Sequence, residues 1–427
     1  MSEDSDAVDV IVVGAGPAGI ACAYRLALAG RSVVLVERGT TVGSKNVSGG
    51  RLYTYALEAV EAGLTREAPF ERAVVREQIV MMDDDRSMTV SLAGPPAAAD
   101  DLPASVTVLR SRFDAWFADR AEAAGVMVAT GIRVDSLLVE DGRVVGIMAG
   151  GEEMRAGVVV AADGVNSFLA REAGLVGELS AHAVGVGVKE VIALEAATIE
   201  ARFGVGPGEG AATLMLGCTA GVHGGAFLYT NADSVSIGIV ASPDQVSASG
   251  TTTHGMLQAL KAHPAVRPLI AGGTTLEYAA HLVREDGWRG VPKRLARDGF
   301  LVTGEAAGFV LNLGYTVRGM DLALVSGVAA AEAIVAGGDL ETAYRAALDR
   351  SGLPATMRAA DGYADLLGIE RLYRTYPGLV LDVVQSVFTV DARAPRPLRT
   401  QVRAAMRARR VPLRAVLRDG LVGVRSI

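Results

Sequence analysis

The chain contains few of the residues that bind metals or form disulfides. It has two cysteines, Cys22 and Cys218, in 427 residues. Two thiols are too few for a disulfide framework or for an iron–sulfur cluster held by four cysteine ligands. The five histidines, at positions 182, 223, 254, 263 and 281, do not have the spacing of metal ligands. We therefore expect no metal site in this chain.

Basic charge and long apolar runs are also scarce. The formal net charge is −7, whereas a nucleic-acid-binding domain is normally basic. Apolar runs are interrupted before they reach the ~18 residues that a membrane-spanning helix requires. The first six residues are acidic, unlike the basic start of a signal peptide. These features predict a cytoplasmic protein that does not bind nucleic acid, and they leave open a peripheral contact with the inner face of the membrane.

Residues 9–37 have the pattern of a strand, a tight turn, a helix and a second strand. In the turn, Gly14 permits the sharp bend, Gly16 lets a pyrophosphate approach the backbone, and Gly19 allows close helix–strand packing. Glu37 closes the second strand, about 20 residues on, where an acidic side chain binds ribose hydroxyls. The segment predicts a dinucleotide site formed by Gly14, Gly16, Pro17, Ala18, Gly19, Glu37 and Arg38.

A second glycine-flanked helix start lies far along the chain, between residues 304 and 327. An NAD-binding domain is normally followed directly by its substrate domain, but a long, two-ended cofactor needs a second loop for its far end. Glu305 is suited to bind ribitol hydroxyls, and the helix that begins at Gly319 and Met320 directs its positive end at the flavin pyrimidine. The pattern therefore predicts FAD as the cofactor, with Gly304, Glu305, Gly319 and Met320 at the flavin half.

The remaining segments predict an inserted sheet and a helical end. Runs of β-branched residues among many glycines favour an antiparallel sheet, and the pattern beyond residue 340 is helical. We predict an α/β fold with a two-dinucleotide-binding, Rossmann-like FAD domain, an inserted antiparallel β-sheet substrate domain and a helical C-terminal region. The predicted division is a FAD-binding domain in residues 1–180 and 296–340, with a substrate-side segment at about 70–108, a substrate or quinone domain in 181–295, and a helical region in 341–427.

Several segments resemble a known group of flavoproteins. The glycine turn, VVVAADGVNS (158–167) and VTGEAAGF (302–309) resemble the two-dinucleotide-binding FAD oxidoreductases. Four more segments resemble the FixC proteins, which are relatives of electron-transfer-flavoprotein:ubiquinone oxidoreductase. They are GSKNVSGGRLY (43–53), GGAFLYTNADSVSIGIV (224–240), LEYAAHLVREDGW (276–288) and NLGYTVRGMDLALVSG (312–327). The resemblance covers nearly the whole chain, in order.

This resemblance implies a FAD-dependent oxidoreductase that takes electrons from an electron-transfer flavoprotein and passes them to quinone. It also implies two flavoprotein subunits and a small ferredoxin as partners. In longer relatives an iron–sulfur module is fused at the C-terminus. Because two cysteines cannot hold such a cluster, a separate ferredoxin-like protein would have to supply it.

The resemblance also assigns further residues to the cofactor. They are Lys45, Gly49, Gly50, Arg110, Asp163 and Gly164. The first three fall in a loop that passes near the flavin ring in the family, Arg110 borders the cofactor, and the last two form a turn near the flavin chain. The family usually has Asp where this chain has Glu305. A side chain longer by one methylene predicts a shifted loop at that position.

Two other functions remain open on the sequence alone. A geranylgeranyl-reductase-like enzyme would saturate isoprenoid double bonds on the same scaffold without flavoprotein partners. A non-catalytic FAD-fold protein would bind a partner or a prenyl group without turnover, but a disused nucleotide site has no need of Glu37.

Three features of the sequence fit more than one role. His281 suits proton delivery near a quinone, although a lone histidine is more often structural. Residues 223–240 fit either a quinone tunnel or ordinary core strands. The ten arginines of the last 37 residues fit either a docking surface, on lipid or on an acidic partner, or a solvated helix.

Overall fold

The chain mixes strands and helices up to residue 318 and is helical from residue 320 onwards. The computed structural model describes residues 7–45, 50–94, 101–392, 394 and 396–426. The strands are β1 (Val8–Val13), β2 (Val33–Glu37), β3 (Gly50–Tyr53), β4 (Arg72–Met82), β5 (Ser87–Ala93), β6 (Ser105–Val108), β7 (Met127–Thr130), β8 (Val134–Glu140), β9 (Arg143–Ala149), β10 (Glu152–Ala161), β11 (Val184–Ala193), β12 (Glu209–Leu216), β13 (Gly224–Thr230), β14 (Ser234–Ala241), β15 (Thr274–Arg284), β16 (Ala296–Arg297), β17 (Phe300–Val302), β18 (Leu311–Asn312) and β19 (Val317–Arg318).

The helices concentrate on the faces of the sheets and at the C-terminal end. They are α1 (Pro17–Leu28), α2 (Tyr55–Val60), α3 (Leu64–Glu67), α4 (Arg110–Ala123), α5 (Phe168–Glu172), α6 (Ala196–Phe203), α7 (Pro243–Ala248), α8 (Thr253–Ala262), α9 (Arg267–Ile270), α10 (Met320–Ala336), α11 (Leu340–Ser351), α12 (Leu353–Ala359), α13 (Tyr363–Leu367), α14 (Arg371–Arg374), α15 (Tyr376–Phe388), α16 (Leu398–Ala408) and α17 (Leu413–Ser426). Short 3₁₀ turns form at Ala181–Ala183, Gly287–Gly290 and Gly304–Ala307.

The first sheet has the strand order β16-β17-β10-β1-β2-β7, with the hairpin β8–β9 attached through β10. β1 lies parallel to β2 and β10, and β17 lies parallel to β10. Residues 10–13 are all buried, as expected for a parallel strand covered on both faces. The predicted strand, turn, helix and strand are therefore present at the start of the chain.

The second sheet has the order β15-β11-β14-β13-β12-β4-β6-β3, with β5 paired to β4. Its pairings are antiparallel except for β4 with β12. The sheet predicted for residues 181–295 is present, and the predicted segment at about 70–108 joins it, together with β3 at residues 50–53. The two sheets have separate apolar cores. The exact division into domains stays a prediction.

Helices α1 and α10 pack against each other through small residues. A Cβ atom added at Gly327 would lie 2.2 Å from the carbonyl oxygen of Ala18, and one added at Gly19 would lie 2.0 Å from that of Gly14. No larger residue fits at either position without moving the backbone. This contact brings the N-termini of the two helices to the same edge of the first sheet.

The C-terminal helices are joined to each other by buried ion pairs. Arg371 donates to both carboxylate oxygens of Asp419 at 2.6 and 2.8 Å, and the hydroxyl of Tyr376 donates to the same group at 2.6 Å. Mainly because of the bond from Arg371, the pKa of Asp419 is lowered to about 2. One of the ten C-terminal arginines, Arg409, is structural as well, because its Nε donates to Oδ2 of Asp382 at 2.7 Å. Among the described residues, no helix combines the length and the apolar character needed to cross a membrane.

Candidate functional site

One large cavity, of about 1110 Å³, is lined by residues from both sheets. Ordinary ligand pockets measure ~300–1,000 Å³, so there is room for a dinucleotide and part of a second compound. The predicted cofactor residues that line it are Gly14, Gly16, Pro17, Ala18, Glu37, Arg38, Lys45, Gly50, Arg110, Asp163, Gly164, Gly304, Glu305, Gly319 and Met320. Gly19 packs beneath the turn instead, and Gly49 lies outside the described residues.

We call the wall formed by the glycine turn and its neighbours the glycine side. Gly14 has a φ of +105°, and a Cβ atom there would lie 2.3 Å from the carbonyl oxygen of Ala162. Gly16 has a φ of −93° and immediately precedes α1. A Cβ atom on Gly16 would meet only Nη2 of Arg110, at 3.7 Å. The space in front of Gly16 is thus open and faces a guanidinium group.

Two carboxylates hold this wall in place. Glu37 accepts hydrogen bonds from the backbone N–H groups of Ala15 at 3.1 Å and Gly39 at 2.6 Å. Arg110 donates to Asp114, with Nη2–Oδ2 at 2.7 Å. Burial opposes the charge of Arg110, but the adjacent Asp114 more than offsets it, so the pKa of Arg110 is raised. A fixed positive charge therefore lies in front of the glycine turn.

The second predicted turn presents a polar atom to the cavity. Oδ2 of Asp163 accepts from the backbone N–H of Leu169 at 3.2 Å. Oδ1 of Asp163 is buried and has no hydrogen-bond partner among the described residues. Burial raises the pKa of this carboxyl. An unsatisfied acceptor in a cavity wall is costly unless a ligand pairs with it.

The second helix start lies beside the glycine turn, because α1 and α10 pack against each other. Gly319 directly precedes α10, and Gly319 and Met320 both line the cavity. A Cβ atom on Gly304, whose φ is +65°, would lie 2.7 Å from that of Ala18. Oε1 of Glu305 accepts from the backbone N–H of Arg284 at 3.1 Å. The longer side chain at this position thus connects the second helix start to the end of β15.

These features fit FAD. The N-termini of α1 and α10 both carry partial positive charge and open into one cavity. The turn at Gly14 and Gly16 leaves backbone exposed beside Arg110, which suits a pyrophosphate. The buried Oδ1 of Asp163, which has no partner among the described residues, would be able to accept a hydrogen bond from a hydroxyl of the cofactor. Among the described residues, no group of three or more potential metal ligands is present.

The opposite wall, which we call the strand side, carries residues that the sequence did not assign. They are Lys189, His223, Phe227, Glu285 and Tyr373. A Cβ atom on Gly238 would lie 2.4 Å from the ring of Phe227, so that glycine lets the ring lie flat across the sheet. Nζ of Lys189 lies 5.9 Å from the centre of this ring. In the sequence, Lys189 interrupts the apolar run of β11, and this interruption could have identified it as a candidate site residue.

Burial brings the pKa values of two strand-side groups close to 7. Burial, together with the smaller effect of the charge of Arg110, lowers the pKa of Lys189 to about 7, and the charge of Glu277 opposes this change. The pKa of Glu285 is raised by burial to about 7. Groups that titrate near the working pH inside a cavity are candidates for proton transfer. His281, considered from the sequence, also lines the cavity but is exposed.

Three segments of the chain match known protein families. Residues 9–115 match the FAD dependent oxidoreductase family, and residues 184–283 match the ubiquinone-binding domain of ETF-QO, an electron transfer flavoprotein-quinone oxidoreductase. Residues 364–427 match the ETF-QO/FixC family C-terminal domain. The first two matches cover the glycine side and most of the strand side of the cavity.

Full-length relatives and solved structures agree with these matches. The chain is 42% identical to Protein FixC of Salmonella typhi, with 99% of each chain covered. It is 41% identical to the probable electron transfer flavoprotein-quinone oxidoreductase YdiS of Escherichia coli, with 100% of each covered. A geranylgeranyl bacteriochlorophyll reductase-like structure from Thermoplasma acidophilum has a TM-score of 0.71 at 19% identity, covering 94% of this chain and 96% of its own.

A flavin-dependent brominase, Bmp2, gives a TM-score of 0.64 at 18% identity, covering 95% of this chain and 100% of its own. At these identities the structural likeness shows the fold alone. The predicted fold class and the FAD cofactor are confirmed by the family matches and these neighbours. The chain therefore belongs to the FixC and electron transfer flavoprotein-quinone oxidoreductase family of FAD-dependent oxidoreductases.

Proposed function

We propose that this protein relays electrons through bound FAD from an electron-transfer flavoprotein to a quinone. The observation that carries the proposal is the shared cavity. Residues of the ubiquinone-binding match, 184–283, form the strand side of the cavity whose glycine side is the dinucleotide turn. A cofactor on one wall and an acceptor on the other would meet without a large movement of the chain.

The glycine side supplies contacts for the whole length of FAD. Gly14 and Gly16 would hold the pyrophosphate, with Arg110 and the N-terminus of α1 balancing its charge. Glu37 would bind the adenosine ribose, with Arg38 beside it. The flavin half would lie at the start of α10, near Gly319 and Met320, and bordered by Lys45 and Gly50. When bound, FAD accepts and donates electrons there.

The strand side suits an apolar acceptor with polar ends. Leu214, Met215, Phe227 and Val240 line this part of the cavity, and apolar and aromatic side chains are typical of small-molecule sites. Lys189 and Glu285 place one cationic and one acidic group among them. A quinone has this combination of an apolar body and two carbonyl oxygens. Of the two roles considered for residues 223–240, a quinone site and ordinary core strands, we therefore favour the quinone site.

The proposed partners are an electron-transfer flavoprotein and a separate ferredoxin-like protein. Cys22 is buried and Cys218 is partly buried, and burial raises the pKa of the Cys218 thiol to about 12. Neither thiol is suited to bind iron, since a ligand must be a thiolate. An iron–sulfur centre in this pathway would have to come from the partner.

The test is a reduction and reoxidation experiment on the purified holoprotein. Reduced electron-transfer flavoprotein is added without oxygen, and the FAD absorbance is followed before and after a short-chain ubiquinone is added. We expect bleaching by the donor and recovery with the quinone. A bound flavin that responds to neither compound would contradict the relay, and reoxidation by an isoprenoid substrate would then favour the geranylgeranyl-reductase-like alternative.

A further inference from the structure

Glu285 lies at the end of β15, inside the cavity wall. Its backbone N–H donates to the carbonyl oxygen of Ala183 at 2.9 Å, which fixes the chain at this point. A Cβ atom added at Gly185 would lie 2.8 Å from Oε1 of Glu285. The carboxyl group therefore occupies space that exists because residue 185 has no side chain, and it lines the cavity.

The polar partner of Glu285 places it at the α10 end of the cavity. The side chain of Asn312 acts on the carboxyl group and lowers its pKa, while its own Oδ1 accepts from the backbone N–H of Gly314 at 2.9 Å. Asn312 belongs to the β18–β19 hairpin, which leads directly into α10. The carboxyl group is held where the flavin half of the cofactor is proposed to lie.

Among the described residues, burial and the side chain of Asn312 act on the pKa of this carboxyl group, and no cation does. Burial is the larger effect and raises the pKa to about 7. Arg284, its neighbour in sequence, pairs with Asp286 at 2.7 Å. Glu305 is bound to the backbone of Arg284 at 3.1 Å, and His281 lies further back on the same strand. Glu285 can therefore carry a proton at neutral pH.

Titratable side chains lie between Glu285 and the surface, but the hydroxyl of Tyr373 donates to the carbonyl oxygen of Leu367 at 2.7 Å, so no continuous hydrogen-bonded chain joins Glu285 to them among the described residues. The charge of Glu285 adds to the effect of burial in raising the pKa of Tyr373. The ring of Tyr373 lies 4.8 Å from that of His223, centre to centre. Burial lowers the pKa of His223, and the charge of Asp244 counteracts this. Asp244 in turn contacts Nδ1 of His182 at 2.9 Å, and the His182 side chain is 81% exposed.

We propose that Glu285 is the proton donor to the electron acceptor reduced in this cavity, and that its carboxylate is reprotonated from solvent. This inference rests on the proposed function. Reduction of a quinone to a quinol takes up two electrons and two protons. Reduced FAD, as FADH⁻, would supply both electrons and one proton, Glu285 would give the second proton to a carbonyl oxygen, and solvent would then reprotonate the carboxylate.

The experiment compares two acceptors on the Glu285→Gln holoenzyme. The flavin is reduced with dithionite without oxygen, and its reoxidation is followed after mixing with a short-chain ubiquinone or with ferricenium, a one-electron acceptor that takes up no proton. Loss of a general acid costs about 10²-fold or more in rate. We expect a slowing of that size with the quinone at pH 7 and an unchanged rate with ferricenium.

The pH dependence supplies an independent readout. The wild-type rate with quinone should fall as the pH rises above about 7, because the donor is then deprotonated. In Glu285→Gln this decrease should be absent. Glu285→Asp keeps a carboxyl group and should recover part of the rate, whereas Glu195→Gln, at an exposed position outside the cavity, should behave as the wild type.

Each contrary outcome is distinct. Equal slowing with both acceptors would mean that Glu285 supports the structure and donates no proton. Unchanged quinone rates in Glu285→Gln would overturn the inference and leave the relay standing. A wild-type flavin that ferricenium reoxidises and quinone does not would overturn the proposed function, and the inference with it.

Discussion

The glycine side and the strand side of the cavity use different parts of the chain. On the glycine side the contacts come mainly from backbone, at Gly14 and Gly16, and from the N-termini of α1 and α10. On the strand side they come from buried side chains such as Lys189 and Glu285, whose pKa values are both about 7. Backbone groups do not titrate, so the glycine side suits a ligand that stays bound in one charge state. The strand side contains groups that titrate, so it suits a reaction in which charge changes.

The largest expected effect tests the backbone wall. Gly14→Ala places a Cβ atom 2.3 Å from the carbonyl oxygen of Ala162, at a φ of +105°. Overpacking and a left-handed backbone together cost about 3 kcal/mol or more. We expect the purified variant to contain almost no FAD and to unfold at lower urea concentration, as measured by flavin content and denaturation curves.

Gly30→Ala is the matched control for this substitution. Gly30 also has a positive φ, +77°, but no atom lies within 4 Å of an added Cβ. It should lose about 1 kcal/mol of stability and keep its FAD. If both variants lost FAD equally, the close approach at Gly14 would not be the cause.

The backbone wall was the more predictable one from the sequence. Glycine spacing reports directly on where a chain must turn and where backbone must approach a ligand. The sequence alone therefore predicts four glycines as cofactor residues, and all four line the cavity: Gly14, Gly16, Gly304 and Gly319.

The strand side could not be assembled in the same way. Lys189 is on β11, Glu285 follows β15 and Tyr373 is on α14. These residues share a wall because strands distant in sequence pair in one sheet, and strand pairing leaves no fixed spacing in the chain. Burial, which shifts the pKa values, is likewise a property of the folded state. The same limit applies to β3, whose pairing with β6 placed residues 50–53 in the second sheet.

The next effect tests whether the strand side gives the fold a pH dependence. The pKa of Glu285 is raised from 4.5 to about 7, so the folded state binds an extra proton between these values. This contribution is fully present below pH 4.5 and is lost as the pH rises through 7. Glu285→Gln should remove at most about 3 kcal/mol of the stability difference between pH 5 and pH 7.

Urea denaturation of the holoprotein at both pH values measures that difference. Glu195→Gln, at an exposed position outside the cavity, serves again as the control and should leave this difference unchanged. Should Glu285→Gln show the wild-type difference, the carboxyl group is ionised in the folded state and the contrast between the walls is weaker than we describe.

A smaller effect separates binding from folding on the glycine side. Gly16 has an extended backbone that any residue adopts, and an added Cβ meets only Arg110, at 3.7 Å. Gly16→Ala should therefore fold with wild-type stability but bind FAD about tenfold more weakly, or about 1.4 kcal/mol, because the methyl group enters the space of the pyrophosphate. Titration of the FAD-depleted protein with FAD measures the affinity. If Gly16→Ala bound FAD with wild-type affinity, the pyrophosphate would not lie against Gly16.

The smallest effect concerns Glu305, which connects the two walls. Its Oε1 accepts from the backbone N–H of Arg284 at 3.1 Å, a bond that the Asp usual in the family is too short to make without movement of the loop. Glu305→Asp should lose about 1 kcal/mol of stability through that bond and change FAD affinity little. Glu305→Gln keeps an acceptor oxygen at the same reach and should retain the stability. If Glu305→Asp instead lost FAD and kept its stability, the carboxylate of Glu305 would contact the cofactor. The two walls would then be connected through the bound ligand and not through the bond to Arg284.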